Sequence, residues 1–247
     1  LGKVLDALRD SFYQELKNAG ILLERVSVRA RVLTPSEAIG NPERKDFPLL
    51  KGKEKMMQAE FKGHLGQAFT DQPGNFEGTL KDVVELELKS NYQRAVLVSV
   101  ANAVMRFLGK TSGTVHCHDE EPELCAGKMV QTIMQRHGRS AKIGIIGYQP
   151  ALIENFAAGF ECVRVTDMDP DNIGKVRYGV KIEDGSTNTQ ELIATSDVVL
   201  CTGTTLVNDS IDEVIELAGG KPLYFYGTTI AAASELLNLK RLCFESK

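Results

Sequence analysis

The stretch Lys142-Ile143-Gly144-Ile145-Ile146-Gly147-Tyr148-Gln149-Pro150 decides the fold. An apolar run of strand length meets Gly147 and then Pro150, whose fixed φ suits the first turn of a helix carrying Leu152, Ile153 and Phe156. In an open parallel sheet such a unit aims the free N–H groups and positive dipole end of its helix at whatever lies beyond the strand. Ligand binding at this edge is therefore the leading expectation, with Gly147, Tyr148 and Gln149 as the residues of the turn. The spacing is G-x-x-G-x-x-P, not G-x-G-x-x-G, so the close approach of a pyrophosphate is not encoded in the usual way.

Downstream the pattern alternates strand and helix. Cys162–Thr166 is a β-branched run ending in Asp167, Val198–Cys201 runs into Thr202-Gly203-Thr204-Thr205, and Leu223–Tyr226 runs into Gly227-Thr228-Thr229. Ser210 with Glu213 reads as a capping box for a helix to Ala218, a helix from about Ile230 to Leu237 follows, and 242–244 suits a last strand. Such alternation predicts an α/β domain with a doubly wound, mainly parallel sheet over 112–247. Asp167 follows Gly147 by 20 residues, where nucleotide-binding folds place an acid for a ribose; loop structure around Pro170 explains it equally. Thr202, Gly203, Thr204, Thr205, Gly227 and Thr228 would share the same sheet edge. Hydroxyls and loop N–H groups there suit a phosphate or carboxylate, and turn and capping chemistry uses the same residue types.

Upstream, residues 1–111 read as a smaller α+β domain. Val4, Leu8, Phe12 and Leu16 form a helical stripe that Gly20 ends, and Val26, Val28, Ala30 and Val32 alternate as a strand with one wet face. Residues 34–55, with Pro35, Pro42 and Pro48, read as a long surface loop able to fold over a site. Met57, Ala59 and Phe61 predict another strand; Gly66–Asp71 comes after it, followed by a turn-rich stretch with Pro73, Gly74 and Gly78. Thr79 with Asp82 opens a helix through Leu88. A second helix, from about Tyr92 to Leu108, has almost no polar face, which predicts burial and allows a place between the two domains; its polar exception, Asn102, must bond either backbone or ligand.

The segment Thr114–Cys125 holds His116, Cys117, His118 and Asp119 in succession. Imidazole, thiol and carboxylate together supply acids, bases, nucleophiles or metal ligands, although neither a C-x-x-C nor an H-E-x-x-H frame is present. The acids around Pro122 are also what a helix N-terminus favours, so helix initiation accounts for them independently.

Composition narrows the function classes. A net charge of −4 without a long basic run gives no electrostatic reason for nucleic-acid binding. No apolar run approaches the roughly 20 residues that cross a bilayer, so the expectation is a soluble cytoplasmic protein with a small-molecule partner and no membrane. Homo-oligomerisation stays open, and so does the cofactor. The five cysteines are odd in number and lack C-x-x-C spacing, which predicts mostly reduced core thiols. Serine nucleophile elbows, P-loops and paired-histidine metalloprotease motifs are missing.

Gly66–Asp71, the helix Arg94–Gly109 with Asn102-Ala103, Thr114–Glu123, Ile143–Glu154 and Thr202–Asn208 together resemble the putative heavy-metal-chelation family of uncharacterised two-domain proteins, over most of the chain. The resemblance implies an enolase-N-terminal-like domain, a Rossmann-like domain similar to methyltransferases, and a site at their junction. It also implies a part in condensation or hydrolysis toward a pterin-, flavin- or siderophore-like metal chelator. Two functions follow as expectations: an enzyme-like binder of a polar metabolite, and a non-catalytic protein that holds metal or a metal chelate.

Overall fold

A computed structural model describes residues 2–31, 40, 42–43, 46–47 and 55–247. Most of the predicted 34–55 loop lies outside the described residues.

Helix α1, Lys3–Ala19, buries the expected stripe of Leu5, Leu8, Phe12 and Leu16, and Gly20 ends it in the left-handed region at φ 68°. Strands β1 (Arg25–Arg31), β2 (Lys55–Phe61), β3 (His64–Thr70) and β4 (Phe76–Thr79) form an antiparallel sheet in the order β3-β2-β1-β4. Strand β3 falls on the Gly66–Asp71 segment, for which the sequence predicts no element, and β4 falls in the stretch expected to be turn-rich. A two-residue turn at Lys62-Gly63, both at positive φ, joins β2 to β3 and matches the twist of the pair. The Thr79–Asp82 capping box opens α2 as expected, but α2 covers only Leu80–Val84 and stops short of Leu88, which sits at φ 53°.

Helix α3, Asn91–Phe107, is capped by an unforeseen box between Ser90 and Gln93. It packs on β2 and β3 from one side. Gly66 makes that contact close: a Cβ there would stand 2.2 Å from the backbone nitrogen of Ala103.

The remaining chain runs through α4 (Glu121–His137), β5 (Ile143–Ile146), α5 (Pro150–Gly159), β6 (Val163–Asp167), β7 (Val176–Arg177), β8 (Val180–Asp184), α6 (Gly185–Thr195) and β9 (Val198–Thr202). It ends with α7 (Thr204–Val207), α8 (Ile211–Ala218), β10 (Leu223–Tyr226), α9 (Ala231–Leu236) and β11 (Arg241–Leu242). The sheet order is β11-β10-β9-β5-β6-β8-β7, parallel throughout except for the short edge strand β7. Counted from β5 and leaving out β7, this is the 3-2-1-4-5-6 order of the Rossmann fold, with its topological switch point between β5 and β9.

Three local readings are corrected. Ser210 has helical backbone angles and its hydroxyl bonds Asn208 Oδ1, so α8 starts without a capping box. The last strand is Arg241–Leu242, earlier than 242–244, because its pairing with Phe225 and Tyr226 ends there. Residues 176–195 hold β7, β8 and α6, which the sequence reading left unassigned.

On its other side α3 meets α7 and α9, and the expected burial of this helix is observed. One apolar cluster runs through both halves and joins Val28 and Met57 to Val199, Cys201 and Ile230. Among the described residues no helix is long and apolar enough to cross a membrane.

Candidate functional site

The carboxyl ends of the parallel strands open onto a cavity of about 400 Å³. Its floor is built by the turns after β5, β6, β8, β9, β10 and β11, and Phe69 of β3 and Phe47 supply wall from the N-terminal side. Six strand ends spaced about 4.8 Å apart make the groove about 24 Å wide. The cavity therefore has a middle and two ends.

At the middle lies the switch point. Gly147 sits at φ 100°, and a Cβ on it would stand 2.7 Å from Thr202 Cγ2 and 3.0 Å from the Tyr226 hydroxyl. That hydroxyl donates to the carbonyls of Ile146 and Gly147 at 3.1 and 3.0 Å, reaching from β10 across β9 to β5. Protein thus occupies the crevice into which a glycine-rich turn would admit a pyrophosphate, and the residues present do not fit that group. Gln149 caps α5 with its side-chain oxygen on the Leu152 N–H, and Pro150 fills the first turn as anticipated.

Thr202, Gly203, Thr204 and Thr205 all line the cavity, but their hydroxyls have local partners. Thr202 Oγ1 bonds the N–H and hydroxyl of Thr204, and Thr205 Oγ1 donates to the Thr202 carbonyl at 2.8 Å. These bonds shape the start of α7.

Asp167 anchors the end beneath β6 and β8. Its Oδ2 accepts the Tyr148 N–H at 2.7 Å, and its Oδ1 accepts Asp169 N–H and Asn172 Nδ2 at 2.9 and 3.1 Å. A carboxylate offers about four acceptor positions, so these three leave about one for a ligand hydroxyl, on Oδ2. The acid predicted for a ribose mainly ties the turn after β5 to the turn after β6.

The end beneath β10 and β11 is chemically different. The His116 backbone N–H donates to Gln67 Oε1 at 2.7 Å, and its ring meets Phe69 edge-on at 5.5 Å. Ring Nδ1 lies 2.6 Å from the Cys117 carbonyl. A carbonyl only accepts, so Nδ1 carries the proton in the neutral ring, and Nε2 keeps its lone pair without a partner among the described residues. Burial pushes the imidazole down to about 4, so it is neutral at pH 7. Burial also pushes the Cys117 thiol up, which keeps it protonated.

Two further thiols, Cys125 from α4 and Cys243 after β11, line this end, and the Phe244 N–H donates to Cys125 Sγ at 3.3 Å, so the two cysteines are neighbours. The sequence reading treated both as core residues, because nothing in their spacing announces the pairing. The Cys125 thiol, with Arg241 and Ser246 beside it, draws Cys243 down, and Cys125 is raised in return. Among the described residues no three His, Cys, Asp or Glu side chains gather as a cation-holding group.

Thr228 closes this end. It is 1% exposed, lines the cavity, and its Oγ1 has no hydrogen-bond partner among the described residues. The other orphaned buried side-chain atom among the described residues, Asp209 Oδ1, lies outside the lining.

Three predicted site residues stand apart from the cavity. Asn102 is wholly buried behind it: Nδ2 donates to the carbonyls of Gln67, Thr228 and Thr229, and Oδ1 accepts the Ala232 N–H at 2.7 Å. It is a strut between β3 and the loop after β10. His118 turns into the start of α4, where its backbone N–H donates to Glu121 at 2.7 Å, and Asp119 is exposed at φ 52°. Among His116, Cys117, His118 and Asp119, only the first two reach the cavity.

No functionally curated protein matches this chain. A crystal structure of a DUF364-family protein of unknown function from Pyrococcus horikoshii is similar over 92% of this chain and 79% of its own, with a TM-score of 0.56 and 14% identity, which is a likeness of fold. A second such structure, from Desulfitobacterium hafniense, covers 74% of this chain and 72% of its own at a TM-score of 0.48 and 13% identity. Residues 130–240, which span the sheet from β5 through β10, match the model of DUF364, described as "Putative heavy-metal chelation".

Proposed function

We propose that the chain binds a polar, heterocycle-bearing metabolite smaller than a dinucleotide, a pterin-, nucleoside- or siderophore-like molecule of the kind that handles metal, in the cavity at the carboxyl edge of the parallel sheet. The observation that carries this reading is the Thr228 hydroxyl, buried at the cavity and unpartnered. An orphaned buried hydroxyl costs about 1–3 kcal/mol, and a bound polar group removes that cost. Phe47, Phe69, Tyr148, Leu152 and Met129 supply apolar wall for a flat ring, and the volume lies in the range of small-ligand sites. Tyr226 and Thr202 take the place of a pyrophosphate, which limits the length of the ligand.

If the ligand reacts, His116 is the base: neutral at pH 7, oriented by the Cys117 carbonyl, and with Nε2 unengaged. A thermal-shift screen with adenosylmethionine, its demethylated product, nucleotides, pterins and flavins tests the reading. At least one of these should raise Tm, and Thr228→Val should reduce that rise. Absence of stabilisation by all of them would remove the proposal.

The family description and the thiols beside His116 support a second reading, in which a metal chelate is held without reaction. Elemental analysis of untagged protein separates the two: this reading requires bound metal that is lost in His116→Ala and Cys117→Ala.

A further inference from the structure

We propose that Cys125 and Cys243 form a redox-active dithiol that exchanges with low-molecular-weight disulfides at the β11 end of the cavity. The inference stands on their geometry and does not depend on which metabolite the cavity takes.

The two thiols come from opposite sides of the site, one from the first turns of α4 and the other from the residue after β11. The backbone N–H of Phe244, the residue after Cys243, donates to Cys125 Sγ at 3.3 Å, which sets the two cysteines side by side. Both line the cavity, and Cys243 is the more exposed of the two, which makes it the first sulfur that a disulfide entering the cavity meets.

Their surroundings favour a thiolate at Cys243. Arg241 stands beside it with its guanidinium bonded to the carbonyls of Gly227, Ser112 and Gly113 and to the Ser246 hydroxyl, all uncharged partners. That fixed positive charge, the Ser246 hydroxyl and the Cys125 thiol all stabilise the anion. Cys125 sits against the same sulfur and stays protonated. One thiol is set to attack and its neighbour to resolve, in the two-step order of thiol–disulfide exchange.

With oxidised glutathione as the disulfide, the Cys243 thiolate attacks one glutathione sulfur. The glutathione S–S bond breaks, a mixed disulfide forms, and the first glutathione leaves as a thiolate that takes up a proton. The Cys125 thiol then gives up its proton and attacks the Cys243 sulfur. This forms the Cys125–Cys243 bond and expels the second glutathione, so the protein loses the two electrons that glutathione disulfide gains.

The test treats reduced full-length chain with excess oxidised glutathione at pH 7, blocks remaining thiols with N-ethylmaleimide, and maps the peptides. A Cys125–Cys243 cross-link should dominate in the natural chain and in Cys162→Ser, which removes the exposed thiol. Cys125→Ser should accumulate glutathione on Cys243, and Cys243→Ser should give neither product. A time course on the natural chain, which needs no variant to fold, should show the mixed disulfide on Cys243 before the cross-link. Glutathione confined to Cys162, with Cys125 and Cys243 recovered as alkylated thiols, would overturn the proposal. Glutathione appearing first on Cys125 would overturn the assignment of the attacking sulfur.

Discussion

The two ends of one cavity are built on opposite plans. Beneath β6 and β8, Asp167 spends most of its acceptor capacity on Tyr148, Asp169 and Asn172, and the turn after β5 is locked by what it bonds. Beneath β10 and β11, polar groups carry unused capacity: among the described residues Thr228 Oγ1 has no partner and His116 Nε2 is unengaged, and two thiols line the cavity. The lesson is that polar residues at a sheet edge are not equivalent. Those whose hydrogen bonds are already satisfied define the shape of a site, and those left unsatisfied define its chemistry.

The comparison breaks or sharpens under substitution, because removing a committed group should destabilise the fold and removing an uncommitted one should not. Asn102→Ala should have the largest effect, about 3 kcal/mol in denaturant unfolding, since it strands several buried backbone groups behind the reactive end. A loss under about 1 kcal/mol would mean that the loop after β10 does not depend on the strut.

Acid should act next. His116 titrates at about 4 in the folded chain against 6.5 for a free imidazole, so the unfolded chain takes the proton first. Its contribution is complete above pH 6.5 and is lost as pH falls toward 4. Allowing for its partial exposure, it amounts to about 2 kcal/mol. Unfolding midpoints across that window should fall less steeply in His116→Gln, and an unchanged slope would show that the ring is not desolvated.

Asp167→Asn comes third. It turns an acceptor toward N–H donors and should cost about 1–2 kcal/mol, less than a fully buried group because the site is partly open. Gly147→Ala should cost about 1–2 kcal/mol through its positive φ and the contact with Thr202. Thr228→Val closes the series: stability should stay within about 0.5 kcal/mol of the natural chain, because the hydroxyl has no bond to lose. A loss of 2 kcal/mol there would place Thr228 with Asp167 and erase the distinction between the ends.

Legibility followed local pattern. The β5 turn, β9, β10, the burial of α3 and the Thr79 cap were readable because apolar period, caps and strand-breaking residues act over a few positions. Strand β3 was not, because Gly66 and Ala68 leave no alternation. Gly66 is there for contact with α3, a partner distant in the chain. Strand β8 carries only Val180 and Ile182 as apolar residues among Lys181, Glu183 and Asp184, too few for a period to stand out. At the site, the threonine turns and His116-Cys117 were found from residue type, but type alone placed His118, Asp119 and Asn102 beside them. Backbone direction sends those side chains elsewhere. Cys125 and Cys243 are far apart in the chain, and no local signal links them.

By itself, then, the amino-acid order determined the class of fold, the edge of the sheet that opens onto the cavity, and the residue types gathered there. Helix and strand periods and turn chemistry are short-range properties written along the chain. The tertiary structure alone decided which of those residues keep unused hydrogen-bonding capacity, that Tyr226 closes the switch point, and that two distant thiols meet. Each of these depends on neighbours brought together only by the crossing of strands, which no local stretch of sequence encodes.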